Sequence, residues 1–392
     1  MSAKGGGLFV LPGTPARTKS QVPCTPTLHL TKSVAACDGE IKEVVTGMVS
    51  QRTIAGVQAK GCLALLRLAA NDENRAAIAR GGGIEAVMVA MVRHRSNEAV
   101  QEEGCAVLGN LAESDTNKVV IVKAGGIVTV VAGMAVHESI AEVQKWGCAA
   151  LRNFASGHDE NKEAIAGARG IEAVVAGMVA HTSNAGVQEE GCAALGNLAG
   201  SDENRTAIAK ARGIEAVVAG MVAHTSIAGV QVQGCAVLGS LAGSVKNKKA
   251  IAAAGGIEAV VAGMREHKKT AVQESGCAAL GNLAASNAEN QAAIVQAGGV
   301  QAVVAGMVSC RSSKGVQKKG SWALRKIASG NDANRTAIAA AGGVEAVHSG
   351  LRAHPSDRGV QKEGRAALDV LGEADATLEV LGEQAGAMPL EV

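Results

Sequence analysis

The sequence predicts an all-α solenoid, a right-handed superhelix of about eight repeats with three helices each. A Val-Gln dipeptide recurs every 42–44 residues, and residues 171–182 are identical to residues 214–225. The 392 residues include 50 glycines, two Trp, two Phe and no Tyr, so the chain lacks the aromatic residues that supply buried area in large compact cores. Thin, stacked layers of small aliphatic residues fit both observations. The dipeptide begins at Val57, Val100, Val143, Val187, Val230, Val272, Val316 and Val360.

The repeats fill residues 38–373 and leave a segment on each side. Residues 1–37 are rich in Gly, Pro, Ser and Thr, so we expect a disordered arm. With one Arg and no clear amphipathic helix, the arm fits an organelle transit peptide poorly. Residues 374–392 form an acidic tail that either caps the last unit or frays. The units are expected near 38–70, 71–112, 113–155, 156–199, 200–243, 244–285, 286–329 and 330–373.

The sequence of each unit predicts three helices: a short one, a middle one and a long one. The short one, as in residues 202–209, opens with acidic or Asn residues that suit a helix N-terminus. It stops at a glycine pair such as Gly125 and Gly126, which permits a left-handed turn. The middle helix, as in residues 214–224, has apolar residues at helical spacing. Its apolar stripe consists of Ile214, Val217, Val218 and Met221.

The residue pattern of the long helix, as in residues 100–112, predicts one buried face and one polar face. Glu103, Ala106 and Asn110 cluster roughly 110° from the centre of the apolar stripe, and we expect them to be exposed. Stacked units would join such faces into the lining of a concave groove. A glycine in the apolar stripe would let helices approach closely. The stripe consists of Val100, Gly104, Val107, Leu108 and Leu111.

Charge and hydropathy exclude several classes of protein. The net charge of +2 comes without a basic stripe, which argues against nucleic-acid binding. No apolar run approaches the roughly 20 residues that span a bilayer, so we expect a soluble cytoplasmic protein, with the nucleus as a further possibility.

Cysteine recurs once per unit at one helical position. Equivalent positions in stacked helices lie about 10 Å apart, beyond the roughly 7 Å between Cα atoms that a disulfide allows. We therefore expect these cysteines to be small hydrophobic residues in a reducing compartment. They are Cys62, Cys105, Cys148, Cys192, Cys235 and Cys277.

Histidine also recurs, at the end of the middle helix. The same spacing of about 10 Å prevents two of these side chains from sharing a zinc ion, so we expect them to act at the helix C-terminus. Phosphate loops, GxSxG elbows and HExxH motifs are absent from the sequence. We predict no metal, no cofactor and no enzymatic activity. The histidines are His94, His137, His181, His224, His267 and His354.

Residues 100–112, 187–199 and 272–284 resemble the third helix of armadillo repeats, and the resemblance covers about 335 of the 392 residues. In that family, which includes importin-alpha, beta-catenin and vacuolar protein 8, the third helices line a groove. An Asn near the end of each third helix commonly bonds the backbone of an extended peptide. The resemblance carries this role onto Asn110, Asn153, Asn197 and Asn282.

The chain departs from the family pattern at other units. Arg67, Ser240, Lys326 and Val370 replace the Asn, so the row is broken. The Trp that importin-type grooves carry four residues before the Asn is matched only by Trp322. Without a Trp array there are no slots for the stems of Lys and Arg, which argues against a receptor of importin-alpha type.

The candidate partner-binding residues also include aromatic and acidic side chains. Trp146 lies seven residues before Asn153, where it would either anchor a partner side chain or cover a neighbouring repeat. Glu103 and Glu190 flank it at equivalent positions, which favours a ligand with a basic residue; Trp322 completes the set. The sequence thus predicts a monomeric, non-catalytic scaffold for an extended segment of a partner protein. A hub that uses convex or edge surfaces, and a transport adaptor, are the alternatives.

Overall fold

The computed structural model describes residues 34–373, with side chains described from residue 38 onward, and this part of the chain contains helices and no strands. It consists of two compact units: the N-terminal unit ends at Ala223, and the C-terminal unit begins at His224. Residues 34–37 lie in the first helix, so the prediction that the arm extends to residue 37 is wrong. Predictions for the rest of the arm and for residues 374–392 lie outside the described residues.

From α3 onward the helices recur in threes, with nine, eleven, and fourteen or fifteen residues. We call them first, second and third helices; α1 and α2 precede the first complete triplet, and α2 corresponds to a third helix. Helices α1–α13 belong to the N-terminal unit and α14–α23 to the C-terminal unit. The helices are α1 (Val34–Ser50), α2 (Ala55–Leu68), α3 (Asp72–Arg80), α4 (Gly83–Arg93), α5 (Glu98–Leu111), α6 (Asp115–Lys123), α7 (Gly126–Val136), α8 (Ala141–Ala155), α9 (Asp159–Gly167), α10 (Gly170–Ala180), α11 (Ala185–Leu198), α12 (Asp202–Lys210), α13 (Gly213–Ala223), α14 (Ala228–Leu241), α15 (Val245–Ala253), α16 (Gly256–Glu266), α17 (Thr270–Ala284), α18 (Ala288–Gln296), α19 (Gly299–Ser309), α20 (Lys314–Ala328), α21 (Asp332–Ala340), α22 (Gly343–Ala353) and α23 (Arg358–Leu371).

A left-handed residue joins each first helix to its second helix. Gly125 adopts φ +87°, as the glycine pair predicts, and the next glycine, Gly126, begins the second helix. A Cβ on Gly126 would lie 2.8 Å from the carbonyl oxygen of Ile121, so this position also requires a small residue. Arg169 and Arg212 occupy the left-handed position elsewhere, with φ of 62° and 64°.

Within each unit, consecutive third helices pack side by side, with α5 between α2 and α8. The predicted apolar stripes of the second and third helices are buried, which confirms both assignments. A Cβ on Gly104 would lie 2.5 Å from Cγ of Met91, so this glycine permits close approach of α5 to α4. Ala106 is only 3% exposed, so its predicted exposure is wrong. A helix with neighbours on both flanks has a narrower free face than its own periodicity indicates.

A buried glutamine connects the second and third helices of one triplet, and a histidine connects neighbouring triplets. Gln101 Nε2 donates to the carbonyl oxygens of Met91, at 2.8 Å, and His94, at 3.2 Å, which lie at the C-terminal end of α4. His137 Nε2 lies 2.9 Å from the carbonyl oxygen of Arg95 in the preceding triplet, and since a carbonyl only accepts, the imidazole donates. These histidines therefore act at helix ends, as predicted, and also bond the adjacent repeat.

Candidate partner-binding site

The third helices of the N-terminal unit carry two lines of side chains outside the apolar stripe. We call them the charge line and the amide line. Their members recur at equivalent positions of α2, α5, α8 and α11. The charge line consists of Lys60, Glu103, Trp146 and Glu190, and the amide line consists of Arg67, Asn110, Asn153 and Asn197.

The amide line first of all binds the protein's own backbone. Asn153 Nδ2 donates to the carbonyl oxygen of Gly109 at 2.8 Å, and Asn197 Nδ2 donates to that of Arg152 at 3.0 Å. Both acceptors lie among the last four carbonyls of a third helix, which have no partner inside the helix. Each Asn therefore caps the preceding third helix. This use of the amide was not predicted from the sequence, because the partner atom belongs to another repeat.

Asn110 differs from the other members of its line. Its side chain is half-buried, and its Oδ1 atom is shielded from solvent but has no hydrogen-bond partner among the described residues. The preceding third helix presents exposed Arg67 at the equivalent position. An amide offers both donors and an acceptor, so Asn110 has unused capacity for a ligand's backbone.

Asn282 is the one predicted amide in the C-terminal unit, and its predicted place on an exposed lining is wrong. It is 0% exposed, and its Nδ2 donates to the carbonyl oxygen of Gly239 at 2.9 Å. A Cβ on Gly239 would lie only 3.4 Å from Cα of Ala279, so α14 and α17 approach closely there. Asn282 is therefore a buried cap.

The two tryptophans occupy opposite environments. Trp146 is half-buried, and Lys145 Nζ lies 4.5 Å from the ring centroid. Trp322 is 1% exposed, so the prediction that it lies ready for a partner is wrong. Its ring packs where a side chain on Gly281 would stand, beside buried Asn282. The residue that matches the importin-type pattern is thus part of the core.

The acidic members of the charge line also differ. Glu190 is 6% exposed and pairs with Arg152 at 3.0 Å, so the prediction that it offers an open charge to a ligand is wrong. Glu103 is half-buried; burial raises the pKa of its carboxyl, Glu102 raises it further, and Arg67 lowers it. Glu103 is therefore the acidic member of the charge line that has no ion pair among the described residues.

In the C-terminal unit, one of the four third helices keeps an Asn at the position of the amide line, and one carries a cation. Its third helices carry Ser240, Asn282, Lys326 and Val370 at the equivalent positions. Helix α20 has five basic residues and no acidic residue. Two of its cations form ion pairs with neighbouring third helices, Lys319 with Glu274 at 2.8 Å and Arg325 with Glu363 at 2.8 Å. This cluster was not predicted from the sequence, although the basic composition of α20 indicates it.

Comparison with solved structures identifies the repeat type. An engineered protein solved by the Northeast Structural Genomics Consortium is similar at TM-score 0.66 and 29% identity, covering 87% of this chain and 92% of that chain. A designed armadillo repeat protein matches at TM-score 0.52 and 24% identity, covering 59% of this chain and 93% of that one. Another, solved with the peptide (KR)4, matches at TM-score 0.54 and 22% identity, covering 62% and 99%. The chain therefore has an armadillo-like repeat fold.

No protein-family model and no curated protein matches this armadillo-like repeat protein. Within residues 34–373, no three His, Cys, Asp or Glu side chains gather closely enough to hold a metal ion. No single described helix is long and apolar enough to span a membrane; α6 with α7, and α18 with α19, reach that length and apolarity only as pairs, bent by 71° and 70°.

The repeated cysteines of the armadillo-like repeats are free and buried, as predicted. Burial raises the pKa of Cys105 and of Cys235 to about 12. Because the thiolate is the reactive form, these thiols react slowly while the repeats stay closed.

Proposed function

We propose that this protein is a non-catalytic scaffold that holds an extended segment of a partner protein across α5, α8 and α11 of the N-terminal unit. The observation that carries the proposal is the state of Asn110, whose shielded Oδ1 has no hydrogen-bond partner among the described residues. A buried acceptor without a partner costs free energy. A rotation of the half-buried side chain that brings this oxygen to a ligand's backbone N–H would remove that cost.

Trp146 and Glu103 give this surface its chemical preference. The half-buried indole offers a large apolar face for a partner side chain. The carboxylate of Glu103 would form an ion pair with a basic side chain of the ligand. Burial raises the pKa of this carboxyl, and a cation beside it would lower that pKa again. We therefore propose a ligand with a basic residue near its contact with Trp146. The neighbour solved with (KR)4, an alternating Lys-Arg peptide, supports this chemistry.

The wider arrangement belongs to the same proposal. We propose eight units over residues 38–373, wound as a right-handed superhelix whose third helices line the concave side, in a monomeric cytoplasmic protein. We propose no role in nucleic-acid binding or membrane insertion. Because Trp322 is buried, we do not favour a transport adaptor of importin-alpha type.

A peptide-array experiment tests the proposal. Full-length protein with Trp146→Ala should bind selected basic peptides about tenfold or more weakly than wild type, since buried aromatic anchors dominate such contacts. Asn110→Ala should weaken binding about fivefold by removal of a net hydrogen bond. Glu73→Gln, an exposed change on the first helix α3, is the control and should bind as wild type does. Equal binding by all four proteins would reject the groove role.

A second candidate function, the structural hub, is favoured by exposed valines on the second helices. Val92, Val179 and Val222 are each more than half exposed at equivalent positions of the N-terminal unit. A Val92→Glu, Val179→Glu double variant that loses a native partner, while Trp146→Ala retains it, would favour the hub. The opposite result would favour the groove.

A further inference from the structure

Helices α4 and α7 pack side by side in the N-terminal unit and leave a surface depression of about 560 Å³ between them. Its lining includes Val89 and Val92 of α4 and Val128 of α7, whose side chains are 52%, 66% and 64% exposed. We call this depression the valine groove. Its volume lies within the roughly 300–1,000 Å³ of ligand-binding clefts, and the three valines give it an apolar surface.

Three lining residues of the valine groove depart from the repeat. Val128 is the third residue of α7, where α4, α10 and α13 have glutamate. Val89 is the seventh residue of α4, where the other complete second helices of this unit have alanine. Arg93 is the last residue of α4, where those helices have valine or alanine. Two of these differences enlarge the apolar surface and the third adds a cation, and all three meet in one groove.

The turn before α7 adds open space to the valine groove. At the equivalent turn before α10, Arg169 pairs with Glu172 at 4.0 Å. Before α7 the same two positions are Gly125 and Val128. A Cβ on Gly125 would meet no neighbouring atom within 4 Å. The valine groove therefore has empty space and apolar surface where α10 has an arginine and a glutamate.

The C-terminal unit shows how the chain can fill such a space with its own side chain. Arg265 of α16 occupies the position of Val92, and its Nη2 donates to the carbonyl oxygen of Ala297 at 3.1 Å. Ala297 follows α18 and corresponds to Ala124, which lines the valine groove. Valine is shorter than arginine and has no donor, so Val92 cannot make this contact. The valine groove is thus left open to another molecule.

The lining of the valine groove favours a helix over an extended segment. An extended backbone needs donors and acceptors beside it, whereas a helix pairs its own N–H and C=O groups. The lining includes no Asn or Gln, and the hydroxyl of Thr129 already donates to the carbonyl oxygen of Gly125 at 3.1 Å. Unlike the amide line, the valine groove therefore offers apolar contact with few partners for a ligand's backbone.

The charge beside the valines is positive. Arg93 lines the groove, is exposed and forms no ion pair with any described residue. Lys123, exposed at the end of α6, comes directly before Ala124 of the lining. Glu85, the acidic residue of α4, lies about two helical turns before Arg93. A ligand with a carboxylate beside its apolar residues is therefore complementary to this groove.

We propose that the valine groove binds an amphipathic helix of a partner protein, with its apolar face against Val89, Val92 and Val128 and a carboxylate opposite Arg93. Such helices present apolar residues at i, i+3, i+4 and i+7 spacing. The proposal rests on the structural hub, the second candidate function, and gives it a binding surface and a class of partner. It is independent of the extended segment proposed across α5, α8 and α11.

Selection from a library of helical peptides, with a fixed stripe of leucines and randomised flanks, tests the proposal on the full-length protein. We expect Asp and Glu to be enriched on one flank. Val128→Glu introduces the residue that α4, α10 and α13 have at this position, so the fold is retained. It should weaken binding of the selected peptides about tenfold or more, because it places a charge in the apolar contact. Val222→Glu on α13, a valine that is 63% exposed outside the groove, is the matched control and should bind as wild type does.

Charge reversal tests the contact with Arg93. Arg93→Glu should weaken binding of the selected acidic peptides about fivefold or more. Peptides with Lys in place of Asp and Glu should bind this variant more tightly than they bind wild type. Trp146→Ala should bind the helical peptides as wild type does, even where it loses the basic extended peptides, so the two binding surfaces are tested separately.

Three results would overturn the proposal. Selected peptides without acidic enrichment would contradict the proposed chemistry of the partner. Equal binding by Val128→Glu and Val222→Glu would place the contact outside the valine groove. Self-association of the wild type in analytical ultracentrifugation, abolished by Val128→Glu, would assign the groove to a second copy of this chain instead.

Discussion

The two units differ at one register position of their third helices, four residues before the amide line. In the N-terminal unit this position is alanine on α5, α8 and α11, whereas α20 of the C-terminal unit carries Trp322. The indole packs on Gly281, and the next residue, Asn282, is fully buried. In the N-terminal unit the amides stay half-exposed. The one amide of the C-terminal unit therefore serves only the fold, whereas the amides of the N-terminal unit keep part of their surface exposed.

The largest effect that we expect from this difference concerns the two tryptophans. Trp322→Ala should destabilise the C-terminal unit by about 3–5 kcal/mol through the cavity it leaves. Trp146→Ala removes a half-buried side chain and should cost about 1 kcal/mol. Stability is measured by the rate at which Cys277 and Cys105 react with a thiol reagent, since both are buried and become reactive through local opening. Comparable acceleration of both cysteines in the two variants would contradict the contrast.

The amides themselves give the next contrast. Asn282→Ala leaves the buried carbonyl of Gly239 without its donor and should cost about 1–3 kcal/mol. Asn110→Ala breaks no hydrogen bond to a described residue and should change stability by less than about 0.5 kcal/mol. Urea denaturation followed by circular dichroism measures both. A large loss in Asn110→Ala would show that this amide already has a structural partner.

Much of the fold could be predicted from the repeat, because each unit has the same pattern of apolar, capping and turn residues. Buried stripes such as Val217 and Met221, and the left-handed Gly125, depend on one helix or one turn and were predicted. The candidate site depends on contacts between repeats, which helical periodicity does not report. The pairing of Glu190 with Arg152, and the bond from Asn153 to Gly109, required the register between adjacent helices.

Two glycines at contacts between third helices, Gly281 and Gly109, give the next contrast between the units. A methyl group on Gly281 would overlap the Trp322 ring, so Gly281→Ala should destabilise the C-terminal unit by about 1–2 kcal/mol despite the higher helix propensity of alanine. On Gly109 it would lie 3.1 Å from Cα of Ala150, a tight but smaller conflict, so Gly109→Ala should be nearly neutral. The shift in urea midpoint measures each change. An equal loss at both sites would mean that backbone spacing, rather than the indole, sets the constraint.

The smallest effect concerns the turn between first and second helices, where the units differ again. The C-terminal unit has Gly255, Gly298 and Gly342 at the left-handed position, whereas the N-terminal unit has Arg169 and Arg212 at two of its four turns. A side chain in this conformation costs about 1–2 kcal/mol, partly offset by the greater freedom of glycine in the unfolded chain.

Replacing both arginines, Arg169→Gly and Arg212→Gly, should therefore stabilise the N-terminal unit by about 0.5–1 kcal/mol for each substitution. The pairs that are lost, Arg169 with Glu172 at 4.0 Å and Arg212 with Glu215 at 3.6 Å, join exposed side chains and contribute little. Slower thiol labelling of Cys148, with Cys277 unchanged, is the expected result. If Cys148 instead reacted faster, the two arginine side chains would make contacts that stabilise the turns by more than the left-handed backbone conformation costs.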